Sequence, residues 1–339
     1  MTRRLPRSLL FFLLFAPVLA ACGGGSSSPA APATSGTATA PSSSAPAASS
    51  SPTPFTPHTA TARVAAWHLP YAAGRQAVVP MPDGGVIVAG GLVAGDASTD
   101  RVVRVDAAHA RVSPLPSLPV PVHDVAGGLA GTTPLVVGGG NATEQDVVQA
   151  WQGDTWRVVG HLPTTRSDLS IVQRGSTPVV VGGYDGASVP TTLLALSASG
   201  DSHSVGRLVQ GVRYAATAVA GHTAYVFGGE VGGAELGSVQ AVDLRTGHTR
   251  VAARLPVPLG HAMAATVGTR ILLMGGRVAP DRQTSEMWWF DPATGRFTRA
   301  GSLPHPLSDA AVATNGRRVW LLGGEESAVT DQVVFVNVR

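Results

Sequence analysis

Hydrophobic and polar positions along this 339-residue chain fall into a repeating pattern. Six short apolar runs each end in Gly-Gly: VIVAGG at Gly90-Gly91, LVVGG at Gly138-Gly139, VVVGG at Gly182-Gly183, YVFGG at Gly228-Gly229, LLMGG at Gly275-Gly276 and WLLGG at Gly323-Gly324. The first glycines of these pairs lie 48, 44, 46, 47 and 48 residues apart. A fixed period of that size marks an array of repeated supersecondary units. Each run, short, apolar and bounded by turn residues, reads as a strand. About 46 residues hold four short strands with their turns, the content of one propeller blade.

The rest of each repeat keeps a common order. A small-residue strand precedes the apolar one, as in Ala215-Ala216-Thr217-Ala218, Ala262-Met263-Ala264-Ala265 and Ala310-Ala311-Val312-Ala313. Between the two lies a tight turn such as Asp83-Gly84, Gly268-Thr269 or Asn315-Gly316, where glycine supplies the positive φ of a two-residue hairpin. A third strand follows (Met287-Trp288-Trp289-Phe290, Val239-Gln240-Ala241-Val242). A turn such as Asp291 to Gly295 or Asp243 to Gly247 then leads to a fourth strand ending near Leu-Pro. The last repeat stops after its third strand, Val333 to Val338, while residues 63–70 look like a lone fourth strand and align with Arg157 to Pro163. The expected fold is all-β: a six-bladed β-propeller of four-stranded blades over 62–339, with 63–70 completing the last blade and closing the ring.

The Gly-Gly after a hydrophobic run, and the aromatic pair Phe290 and Phe297, resemble the repeats of the kelch family of β-propellers. The resemblance covers residues 63–339 and is degenerate: Trp156 sits in the family's Trp column, where Val112, Ser202 and Thr249 stand in other repeats.

Composition fits short strands and tight turns: 41 Gly, 26 Pro and only 13% charged residues, against a usual charged share of about 25%. The formal charge of +3 belongs to the N-terminus. Without Arg3, Arg4 and Arg7, 21 basic residues face 21 acidic ones and no basic cluster is left, so nucleic acid is not an expected partner. Residues 1–21 have a basic start, an apolar stretch from Leu9 to Leu19 and small residues after it, a secretory signal pattern. Leu19-Ala20-Ala21-Cys22 resembles the bacterial lipobox. That resemblance implies cleavage before Cys22, lipidation of its thiol and an extracytoplasmic protein anchored to the cell envelope; more than one acyl chain anchors stably. Residues 22–61, nearly all Gly, Ser, Ala, Pro and Thr, have little to bury and read as a linker. Cys22 is the sole cysteine, so the domain has neither a thiol nor a disulfide.

Candidate chemistry gathers in two columns. Six residues beyond the Leu that precedes each first strand stand Arg75, Asp124, Asp168, Tyr214, His261 and Asp309. Directly after the Gly-Gly pairs stand Leu92, Gly140, Tyr184, Glu230, Arg277 and Glu325. In a propeller both positions lie on one face, and loop positions often carry function. Strand ends are also polar simply because they are exposed, so the columns read as a solvated rim or as a binding face. The ten candidates are Arg75, Asp124, Asp168, Tyr184, Tyr214, Glu230, His261, Arg277, Asp309 and Glu325.

No catalytic residue, cofactor or metal is assigned. Asp124, Asp168, Asp309, His123 and His261 are suitable ligand types, but they come mostly from separate repeats with no local spacing to test. G-x-S-x-G, the P-loop and H-E-x-x-H are absent. The thioether Cys–Tyr cofactor of kelch-containing copper radical oxidases needs a cysteine that the domain lacks, and the sialidase Asp-box is missing. The expected role is a tethered, non-enzymatic binding or scaffold module for a protein or glycan. The alternative is a sugar-active enzyme: six-bladed kelch proteins include a sialic-acid mutarotase. That likeness implies an acid/base pair such as Glu230 with Arg277 or His261.

Overall fold

The computed structural model describes residues 55–339; the expected signal sequence, Cys22 and the linker up to 54 lie outside them. The described residues form six four-stranded antiparallel sheets and no helix. Blade 1 runs through Ala77–Pro80, Val86–Ala89, Val102–Asp106 and Arg111–Leu115. The first strands of blades 2 to 6 are Ala126–Ala130, Ser170–Arg174, Ala216–Ala220, Met263–Val267 and Ala311–Asn315. These line the axis, where Ala, Thr and Val leave room for six strands to converge.

The second and third strands are buried on both faces, because each sheet packs on a neighbour on either side. Between blades 5 and 6, Leu272 and Trp289 meet Leu321 and Val334. Between blades 4 and 5, Tyr225 and Phe227 meet Ile271 and Phe290. Phe290 and Phe297 are register partners with ring centroids 4.9 Å apart.

Each Gly-Gly locks its blade to the next. The second glycine donates to a carbonyl just ahead of the following blade: Gly91 to Val122, Gly139 to Arg166, Gly183 to Val212, Gly229 to Leu259, Gly276 to Leu307 and, from the sixth blade back to the first, Gly324 to Ala73. The first glycine has positive φ and approaches the same carbonyl so closely that a side chain is excluded. At Gly228 (φ 56°) a Cβ would lie 2.0 Å from the Leu259 oxygen. Gly221 has φ 61° with nothing within 4 Å. Gly228→Ala is therefore expected to cost about 3 kcal/mol or more, and Gly221→Ala about 1, the cost of φ alone. Urea unfolding of both variants measures the difference.

The sixth blade combines both ends of the described chain. Strand Ala60–His68 pairs with Gln332–Val338, from Ala60 opposite Val338 to His68 opposite Gln332, in the sheet that also holds Ala311–Asn315 and Arg318–Leu322. This corrects the sequence boundaries: the strand starts before 63 and ends before 70, and the expected linker limit at 61 falls inside it. Ordered contacts begin earlier still. The Arg317 guanidinium covers the Phe55 ring at 3.6 Å. Thr269 N donates to Phe55 O at 2.9 Å and His58 N to Arg339 O at 2.8 Å. Phe55 thus sits at the turns joining first and second strands of blades 5 and 6.

Candidate functional site

The two sequence columns converge at the end of the axis where the first strands begin. Arg75, Asp124, Asp168, Tyr214, His261 and Asp309 have φ between 51° and 57°, the left-handed region that favours glycine. Asp tolerates it, but for Arg, Tyr and His it costs roughly 1 kcal/mol or more each. The conformation turns the backbone so that successive positions bond around the axis. Asp168 N donates to Asp124 O, Tyr214 N to Asp168 O, His261 N to Tyr214 O, Asp309 N to His261 O and Arg75 N to Asp309 O, at 2.8 to 3.0 Å. Between Arg75 and Asp124 side chains make the link, Nη1 to Oδ2 at 3.3 Å.

The second column joins the first through backbone bridges: Ser167 with Tyr184, Arg213 with Glu230, Gly260 with Arg277 and Ser308 with Glu325. Charged side chains then interlock. Glu325 accepts from Arg75 Nε at 2.5 Å and from Arg277 Nη2 at 2.6 Å. Arg277 Nη2 also reaches Asp309 Oδ2 at 3.3 Å. His261 meets Asp309 through Nδ1 at 2.8 Å and Glu230 through Nε2 at 3.6 Å. Between neighbouring blades 3 and 4, Arg213 Nη2 lies 2.7 Å from Asp168 Oδ2, and from blade 4 to blade 2 Tyr214 Oη donates to Asp124 Oδ2 at 3.3 Å. The Tyr214 ring stacks on His261 at 3.8 Å, and the Arg213 guanidinium lies between Tyr214 at 4.6 Å and Tyr184 at 4.8 Å.

All ten candidate residues therefore belong to one network. The sequence columns omitted Arg213, which ties Asp168, Tyr184 and Tyr214 together. Its signal was available: it stands one position before a column residue, where the bridges place a side chain between the two columns. His123, raised as a metal ligand, hydrogen-bonds Ser98 through Nδ1 at 2.8 Å and lies 3.5 Å from Asp124. Among the described residues no three His, Cys, Asp or Glu side chains gather as a metal-ion site; Arg75, Arg213 and Arg277 occupy the space between the acids.

Burial sets the protonation. Asp168 is pushed up to about 7, first by burial and then by the Asp124 carboxylate, with Arg213 opposing. Burial acts against charge on His261, but Asp309 and Glu230 override it and raise the imidazole to about 9. Burial also acts against Asp309, which His261, Arg75 and Arg277 nevertheless hold below the usual carboxylate range. The His261 hydrogen bond lowers Glu230.

Six of the ten line a cavity of about 130 Å³ at the mouth of the axis. Below it a channel of about 520 Å³ runs between first strands, lined chiefly by Ala, Val and Thr, and shares Gln76, Val125 and Ser170 with the mouth. Sites that enclose a whole small ligand measure roughly 300–1,000 Å³. The mouth is well below that and has room for only one chemical group of a larger molecule. Those loops are unequal: hairpins Leu92–Val93/Ala97–Ser98, Glu230–Val231/Ala234–Glu235 and Arg277–Ala279/Arg282–Gln283 rise from blades 1, 4 and 5.

Residues 259–304, which span blade 5, match the family model of the Kelch motif. The domain is a β-propeller with kelch-type repeats. No curated protein matches the chain. In this kelch-type propeller the matched segment carries His261 and Arg277, so the repeat that holds to the motif also supplies two members of the axial network.

Proposed function

We propose that the propeller is a binding module, tethered through a lipidated Cys22 outside the cytoplasmic membrane, whose axial face takes a glycan or protein ligand. The observation that carries this reading is the mouth itself. Six non-glycine residues at positive φ aim charged and aromatic side chains into a space that admits one ligand group. Glycine at those positions would relieve the backbone, and backbone strain concentrated at one locus is a mark of function. Tyr184 and Arg213 form an aromatic–cation platform beside the mouth, suited to a sugar face or a peptide side chain.

Titration of residues 55–339 with oligosaccharides, sialic acids and cell-wall fragments, followed by thermal shift, tests the reading. A ligand of this face is expected to bind at least tenfold more weakly to Arg213→Ala, the loss expected of a central Arg anchor. A panel without response directs the search to a protein partner through cross-linking in the envelope. A ligand bound equally by wild type and Arg213→Ala places binding elsewhere and refutes the axial site.

One arrangement favours the sugar-active reading: Glu230 faces His261 Nε2 while Asp309 orients Nδ1, a carboxylate–imidazole–carboxylate chain suited to proton transfer. Arg277, the other suggested partner of Glu230, pairs instead with Asp309 and Glu325. Acceleration of anomer exchange in a reducing sugar, detected by NMR and lost in Glu230→Gln, would establish that chemistry.

A further inference from the structure

A second polar cavity lies in blade 3 and shares no lining residue with the mouth. It is built around Arg166. The carbonyl of Arg166 accepts from Gly139, and the residues in the same role in the other repeats are Ala73, Val122, Val212, Leu259 and Leu307. Five repeats thus place an apolar side chain here and one places a guanidinium, only 3% exposed.

That guanidinium is incompletely satisfied. Nη1 donates to the Gly182 and Thr192 carbonyls at 3.3 and 2.9 Å, and Nε is buried with no partner. Among the described residues no carboxylate lies within ion-pairing distance of Arg166, although an uncompensated buried charge is costly. Burial depresses its pKa, with Asp185 as the opposing charge. Asp185 is the cavity's sole carboxylate and is held by its own turn: Oδ1 accepts from Ala187 N and Ser188 N, and Oδ2 from Ser188 Oγ.

The cavity measures about 450 Å³ and opens to solvent. Its wall offers donors: Arg207, His203 and the hydroxyls of Thr191, Ser202 and Ser204. A fixed, buried guanidinium with a second Arg and several hydroxyls suits a tetrahedral oxyanion, which accepts several charge-assisted hydrogen bonds at once. We propose that this cavity binds a phosphate or sulfate group, with Arg166 as its buried anchor and Arg207 and His203 at its rim. The site is independent of whatever occupies the axial mouth.

Calorimetric titration with inorganic phosphate and with sodium sulfate, against sodium chloride at equal ionic strength, tests the proposal. Wild type is expected to give a saturable signal with at least one of the two, and the stronger of them tells phosphorylated from sulfated ligands. Arg207→Gln, a change at an exposed residue that leaves the fold intact, is expected to weaken binding at least fivefold. Arg166→Leu, which restores the apolar side chain of Leu259 and Leu307, is expected to abolish it. No saturable signal with either anion, or an affinity unchanged in Arg207→Gln, overturns the proposal.

Discussion

Removing residues 55–68, which carry strand Ala60–His68, is expected to collapse the cooperative fold of the domain. The strand supplies the outer edge of blade 6, pairing from Ala60 opposite Val338 to His68 opposite Gln332. It covers Val334 and Val336 and buries Ala60 and Ala65. Its loss removes a ladder whose net hydrogen bonds contribute about 1 kcal/mol each, and it uncovers the unpaired edge of Gln332–Val338, a template for association. Because Gly276 and Gly324 tie blade 6 to both neighbours, the damage spreads around the ring. The expected result is a melting temperature at least 10 °C below that of residues 55–339, roughly 4 kcal/mol or more at a few degrees per kcal/mol, or no cooperative transition at all. Circular dichroism melts of residues 69–339 and 55–339 supply the measurement. Equal melting temperatures would mean that blade 6 stands without its fourth strand.

The second large effect is on pH. Asp168 and His261 both have folded-state pKa values raised above their unfolded ones, so each contributes stability at low pH and loses it as pH rises. For Asp168 the loss runs from about 4 to 7, and for His261 from about 6.5 to 9. Asp309 and Glu230, held low, act in the opposite sense and lose their contribution as pH falls below the ordinary carboxylate range. Stability should therefore peak near pH 5 and decline towards pH 9. A tenfold difference in proton affinity between folded and unfolded chains is worth about 1.4 kcal/mol, so the decline amounts to several kcal/mol. Thermal unfolding between pH 4 and 10 tests this. Asp168→Asn should flatten the lower part of the decline and His261→Gln the upper part; a melting temperature constant from pH 5 to 9 would refute both assignments.

The architecture was legible because it is written in repeated register. Leu69, Leu118, Leu162, Leu208, Leu255 and Leu303 are all buried, and counting from them picks out the six residues that line the axial mouth. The Gly-Gly pairs were visible as bends, but their second role, a hydrogen bond into the next blade, depends on contacts about 30 residues away that no local pattern reports. Positive φ at Arg75 and Tyr214 was equally hidden, since these residue types signal no left-handed turn. Arg213 escaped because the columns sampled one residue per loop and the bridge brings two side chains to the axis. Arg166 carries no local motif; its alignment with five apolar residues, seen in the hydrogen bonds of the Gly-Gly pairs, sets it apart.

Phe55 is pinned where first and second strands turn, the face opposite the mouth. Strand Ala60–His68 then runs from that face towards the mouth, antiparallel to Gln332–Val338. A pull on Phe55 directed away from a ligand held at the mouth would act along this strand. All its hydrogen bonds to Gln332–Val338 would bear the load together in shear, instead of opening one after another. The segment that completes the last blade would thus also be the one through which the propeller resists mechanical tension.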